Sequence, residues 1–244
     1  MTMRVRSSVQ TRFRIVRNTL IVDLKDSRRV LSSAPQGGGF TTATHVLNHQ
    51  VESTPVDTCS RPSPGWGSPS RYLRKLASEL GLDTDTVGLM TAVPMTQLVT
   101  ARASSGKVWV ECFATVGVTN AVRAGEWPAL AASSKPVGTP GTINLILVTN
   151  ASLSNAALVG AVQVATESKA GVLRDHAVPS WTGHAGATGT GTDAVVIASR
   201  ARGRGSWHVY SGTHTVIGAL LGRAVTACVT RGLAKAKRWR ERYR

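Results

Sequence analysis

Asp193 and His214 each stand beside a Gly-rich bend within one short region of this chain. Asp193 closes the run ATGTGTD (187–193), in which Thr188, Thr190 and Thr192 alternate with Gly189 and Gly191. His214 follows Tyr210-Ser211-Gly212-Thr213 at the mouth of an expected helix. Segments of this kind expose backbone N–H groups and hydroxyls, the means by which a protein grips a polar or developing anionic group. They also form ordinary turns. A carboxylate and an imidazole in one strand–turn–helix unit raise the chemical reading above the structural one.

The elements that must position these residues follow from periodicity. Ala194–Ser199 is a short Val/Ile-rich run bounded by Gly and Arg and reads as a buried strand, and Ile217, Leu221, Ala224 and Cys228 recur at helical spacing after His214. Earlier in the chain, Arg12–Val16 and Leu20–Leu24 alternate around Asn18-Thr19 as a hairpin. Val30-Leu31 begins a strand that enters Gly37-Gly38-Gly39, and Phe40–Val51 is expected to be helical. Ser53–Ser70 is a Pro/Ser/Gly-rich loop. Tyr72–Leu80 is an amphipathic helix with Ser68 or Ser70 as its N-cap and Gly81 as its stop. Val87–Met90 and Lys107–Val116 read as strands, as does Leu145–Val148 after Gly141-Thr142-Ile143-Asn144. Ser152 or Ser154 caps a helix running to about Lys169. The order points to an α/β (or α+β) single layered domain, with a central mixed β-sheet flanked by helices.

Composition narrows the function classes. The net charge of +16 invites a nucleic-acid reading, yet residues 1–29 and 231–244 each carry a net +6. The interior has little basic excess and no basic–aromatic alternation, so no specific nucleic-acid partner is expected. The ends read as solvated extensions, with residues 1–230 forming the domain and 231–244 a basic tail. Three cysteines without CxxC spacing fit a reducing cytoplasm. Residues 1–18 lack the apolar region of a signal peptide, and Arg223 interrupts the most apolar helix, so no membrane span is expected.

Five blocks carry a resemblance. LSSAPQGGG (31–39), TVGVTNAVRAGE (115–126), GTINLIL (141–147), ATGTGTDA (187–194) and YSGTHTVIGALLGRAV (210–225) resemble, in order, the adenosylcobinamide amidohydrolases of corrinoid salvage, the CbiZ family. Asn48 matches an Asn of the family pattern, whereas the segment around Pro94 departs from it where an acidic residue is expected. The resemblance implies hydrolysis of the amide between the aminopropanol side chain and the corrin ring of adenosylcobinamide. It also implies a broad cleft for a corrinoid substrate that carries its own cobalt; no further cofactor or metal is required by the sequence. A non-catalytic corrinoid-binding protein is the alternative.

Amide hydrolysis needs a nucleophile, a base that later protonates the departing amine, and donors for the oxyanion. The sequence has neither GxSxG nor HExxH. Either water is activated by His214 or Asp193, or a Thr of 188–192, Thr192 being the candidate, attacks with one of them as base. A metal on His184, Asp193 and His214 is a further arrangement. Gly37, Gly38, Gly39, Asn120, Arg123, Asn144, Thr190 and Thr213 are the expected substrate contacts.

Overall fold

The computed structural model describes residues 3–51, 68–82, 85–126 and 141–242. Ten strands form one mixed sheet in the order β1 (Arg4–Arg6), β6 (Val99–Ser105), β7 (Val108–Val116), β9 (Ile143–Leu153), β11 (Ala194–Arg200), β3 (Thr19–Ser32), β4 (Gly39–Gln50) and β5 (Thr86–Thr91). Beyond that path, β2 (Phe13–Val16) pairs with β3, and β12 (Trp207–His208) with the far end of β9. A separate two-stranded ribbon joins β8 (Ala121–Val122) to β10 (Gly189–Thr190). The helices are α1 (Pro69–Glu79), α2 (Asn155–Asp175) and α3 (Val216–Arg242). The chain is thus a single mixed α/β domain.

The β2–β3 hairpin turns at Arg17-Asn18, one residue earlier than expected, with Thr19 already in β3; both turn residues take positive φ, as a two-residue loop matched to strand twist requires. Ser154 caps α2 by accepting from Ala157 N at 3.0 Å. Ser68 is the N-cap residue of α1 without a side-chain bond, Pro69 opens the helix, and Gly81 at φ +69° follows its end.

The sheet does not lie flat. Asn48 on β4 donates to Thr115 Oγ1 on β7 at 3.0 Å, although four strand steps separate them. A flat sheet would hold those strands ~19 Å apart. The β3–β4–β5 wing therefore folds over the β7–β9–β11 half. Its hinge is in β3, where pairing with β4 slips between Asp23 and Arg28 and Lys25 takes positive φ. Leu20, Val22, Val46 and Leu89 of the wing meet Phe113, Ile146 and Val196 in the fold. The opposite face of the flat half carries α2 and α3, packed through Leu158, Ala161, Ile217, Leu221 and Val225. Helix α1 covers the wing's outer face through Ala77 against Ile21 and Leu47.

Three expectations change. Phe40–Val51 is strand β4, not a helix: Thr41, Thr42 and Thr44 are β-branched, and the segment pairs on both edges, with β3 and with β5. The presumed basic tail is, through Arg242, the last turns of α3. Leu233 and Ala236 are buried there, while Arg231 Nη2 donates to Thr100 O at 2.6 Å and Lys235 Nζ to Leu98 O at 2.9 Å. Long basic stems lie over the sheet with their charged heads on carbonyls at the start of β6. The basic N-terminus likewise enters the sheet, as β1. By length and composition α3 is also long and apolar enough to cross a bilayer, contrary to the sequence reading; its apolar side is buried on the sheet and α2. Most of the Ser53–Ser70 loop, including Trp66, lies outside the described residues.

Candidate active site

One end of the sheet gathers most of the polar residues that the sequence singled out. There β9 and β11 begin, β7 ends, and the β8–β10 ribbon crosses. The centre of this rim is Asp193. Its Oδ1 accepts from Ile143 N at 2.8 Å and from the Thr190 hydroxyl; its Oδ2 accepts from Thr190 N at 2.9 Å and Lys169 Nζ at 2.6 Å. The ion pair is nearly buried, and Lys169 reaches it from α2. A carboxylate offers about four lone-pair sites. All four are taken, so Asp193 clamps β9, β10 and α2 together and has no lone pair left for a substrate proton. Gly189 is where the clamp needs a glycine: a Cβ there would strike Asp193 Oδ2 and Lys169 Nζ.

Around the clamp, Thr142 donates to Thr192 O at 2.9 Å and accepts from the Thr192 hydroxyl at 3.0 Å. Thr192 is exposed, and no base lies within hydrogen-bond reach of its oxygen among the described residues. Asn120 Oδ1 accepts from Gly141 N at 3.0 Å, tying the β7–β8 turn to the start of β9. Arg123 points its guanidinium to solvent, while its backbone N–H donates to Glu126 Oε2 at 3.0 Å. Glu126 Oε1 accepts from Ser180 Oγ at 2.8 Å and Thr182 Oγ1 at 3.0 Å. The Arg123 N–H above all, then these hydroxyls and the charge of His184, hold the Glu126 carboxyl below its ordinary range. The backbone N–H of Trp181 donates to Ala121 O at 2.8 Å at the same place, and its side chain is partly exposed.

Directly beneath the rim runs a buried polar chain. Asn144 Nδ2 donates to Asn48 Oδ1 at 2.9 Å and to Met90 O at 2.8 Å; Asn48 donates to Thr115, and Thr115 to Thr91 Oγ1 at 3.4 Å. Asn144 Oδ1 is buried without a partner among the described residues. Asn48 and Asn144 thus join the two halves of the folded sheet.

The rest of the expected set lies elsewhere. His214 and Thr213 are exposed at the opposite end of α2, where Ser211 Oγ donates to Ala157 O at 2.6 Å. Ala157 and Lys169 are ~18 Å apart along the helix axis. The structure therefore does not bring His214 to Asp193. Gly37 and Gly38 serve a close approach within the chain: a Cβ on Gly37 would meet Val87 and Thr86 O, and one on Gly38 would meet Ala34 O. Gln36 N and O bond Gly88 O and N across this bend. Among the described residues no three His, Cys, Asp or Glu side chains converge as a metal site would require. Cys112 is buried against Cys228, whose hydrogen bond, with burial second, raises its thiol pKa well above the ordinary value. It is no nucleophile.

Sequence reasoning overlooked Lys169 and the Glu126–Ser180–Thr182 cluster. A Lys at a position in step with the buried apolar residues of α2 was the available signal for the first; nothing in residue spacing announced the second.

Residues 4–241 match the sequence profile of the adenosylcobinamide amidohydrolases, CbiZ. The chain belongs to this family. An adenosylcobinamide amidohydrolase of Methanosarcina mazei is 31% identical over 203 residues, covering 80% of this chain and 86% of that one. An uncharacterised protein of Methanocaldococcus jannaschii is 30% identical over 236 residues, covering 89% and 86%. A Halobacterium salinarum adenosylcobinamide amidohydrolase is 41% identical over 90 residues, 37% of this chain and 33% of its own. A crystal structure of a Pyrococcus horikoshii OT3 protein aligns over 96% of this chain and 83% of that one, with TM-score 0.40 and 10% identity.

Proposed function

We propose that this protein hydrolyses the amide joining aminopropanol to the corrin ring of adenosylcobinamide, releasing adenosylcobyric acid and 1-aminopropan-2-ol. The observation that carries the reading is the family match across nearly the whole chain. The rim suits such a substrate. It offers an exposed indole at Trp181, an exposed guanidinium at Arg123 and an exposed hydroxyl at Thr192, and a large ring bearing several amides needs an open site with scattered polar groups of this kind.

In this reading water is the nucleophile, since among the described residues Thr192 has no base beside it. Asp193, Lys169, Thr190, Asn120 and Asn144 are positioning residues. We assign the proton transfers to His184, an exposed imidazole on the same loop as Ser180 and Thr182, whose hydroxyls donate to Glu126 at the rim. Incubating purified protein with adenosylcobinamide, then chromatographing for adenosylcobyric acid and aminopropanol, tests the activity. Substrate bound but intact after hours would favour a corrinoid-binding protein instead.

A further inference from the structure

The sheet's β1 edge carries a charge arrangement unrelated to the rim. In register, Arg6 lies directly across from Arg102, and Arg4 across from Ser104. Like charges facing each other across a strand pair are destabilising unless something anionic lies between them. Arg102 already has a partner: it pairs with Glu111 and lies 4.5 Å from the Trp109 ring centroid. Glu111 is fully buried and also accepts from Gln10 N at 2.7 Å and Thr11 N at 2.9 Å. Its carboxylate is held inside the protein by these three donors, Arg102 among them.

Arg4, Arg6 and Lys107 make no ion pair among the described residues. With Arg102, Gln10 and Trp109 they line a pocket of about 600 Å³ whose lining contains no carboxylate. A cation clamped between a buried carboxylate and an indole face is fixed in place, with three exposed cations around it. Phosphate oxygens suit such a wall, because guanidinium forks match them in pairs.

We propose that this pocket binds a phosphate-bearing anion, either a small polyphosphate or the phosphates of a nucleotide, independently of amide hydrolysis. The probes are inorganic pyrophosphate, inorganic tripolyphosphate and adenosine triphosphate, titrated calorimetrically into the full-length protein at low and high ionic strength. Saturable one-site binding that weakens with salt is expected. Tighter binding of adenosine triphosphate than of tripolyphosphate would identify a nucleotide, with the base beside Trp109; equal affinity would identify the phosphate chain alone.

Arg4→Thr/Arg6→Thr, which keeps residues suited to a strand, should weaken binding about tenfold or more. Adenosylcobinamide turnover should stay unchanged. Lys107→Ser, in the β6–β7 turn, gives the same reading should the double variant fail to fold. No saturable heat with any probe, or unchanged affinity in the folded variants, would overturn the proposal. So would single-stranded oligonucleotide binding that survives these changes but is lost in Lys237→Ser/Arg238→Ser, which would place a nucleic-acid surface on α3.

Discussion

Asp193→Asn separates a clamp from a catalyst. In the structure four donors converge on the carboxylate, one of them the ammonium of a nearly buried lysine. An asparagine keeps the shape but turns an NH₂ toward at least one of those donors and leaves Lys169 buried without a counter-charge. Breaking one side of a buried ion pair costs about 3–5 kcal/mol. For a chain of this length each kcal/mol moves the melting temperature by about 2–4 °C, so the expected loss is ~6–20 °C. Removing the cation as well, in Asp193→Asn/Lys169→Met, should recover part of that loss, and the non-additivity measures the coupling. The assay is calorimetric melting of the wild type, both single variants and the double variant, with adenosylcobinamide turnover measured well below the lowest melting point. Positioning predicts that stability falls steeply, with turnover lowered in both single variants and partly restored in the double. A melting temperature within ~2 °C of wild type, with turnover abolished and no rescue, would refute the reasoning and return Asp193 to the role of base.

The two histidines give a paired test: His184→Ala should lower kcat by about 10²–10⁴-fold, the range for a lost general base, whereas His214→Ala should stay near wild type. The reverse result, with both proteins folded, would move the reaction to the far end of α2. Acid stability should respond to His49, which lies between Thr19 Oγ1 at 2.8 Å and Tyr72 OH at 2.9 Å and whose pKa burial lowers from 6.5. Below about that pH the unfolded chain binds a proton that the folded one resists, so this contribution is complete above 6.5 and is lost as pH falls. Melting curves across that window should flatten in His49→Gln; an unchanged pH slope would exclude the effect.

Much of the fold was legible because its signals are local. The β2–β3 turn, the Ser154 cap of α2 and the buried runs of β7, β9 and β11 each depend on a few neighbouring residues. Strand β4 was misjudged because Gly37-Gly38-Gly39 resemble the entry to a helix, while its partners β3 and β5 are set by tertiary pairing. The same limit hid the hinge. Nothing in Asp23–Arg28 alone says that the sheet folds there, yet only that fold carries Asn48 to Thr115 and Asn144.

The site shows the same division between residue type and partner. Asp193 was conspicuous in sequence, and the structure places it at the centre of the rim, but its work depends on Lys169, supplied by a helix whose other buried residues are apolar. An aspartate read without its donors looks like a free base; with four donors it is a fastener. His214 was conspicuous for a similar reason, since a Gly-rich bend before a helix resembles an anion cradle. Nearness in sequence suggested nearness in space, but strand β11 and the chain that follows it run the length of the sheet between the two residues. The β9–β11 parallel pairing puts Asp193 beside Ile143, and the parallel β12–β9 pairing carries the chain past Leu153 before His214. Parallel neighbours advance along the sheet in one direction, so the chain leaves the rim at Asp193 and reaches His214 at the other end of α2. That is why the proton carrier is proposed in the loop of Ser180–His184 instead.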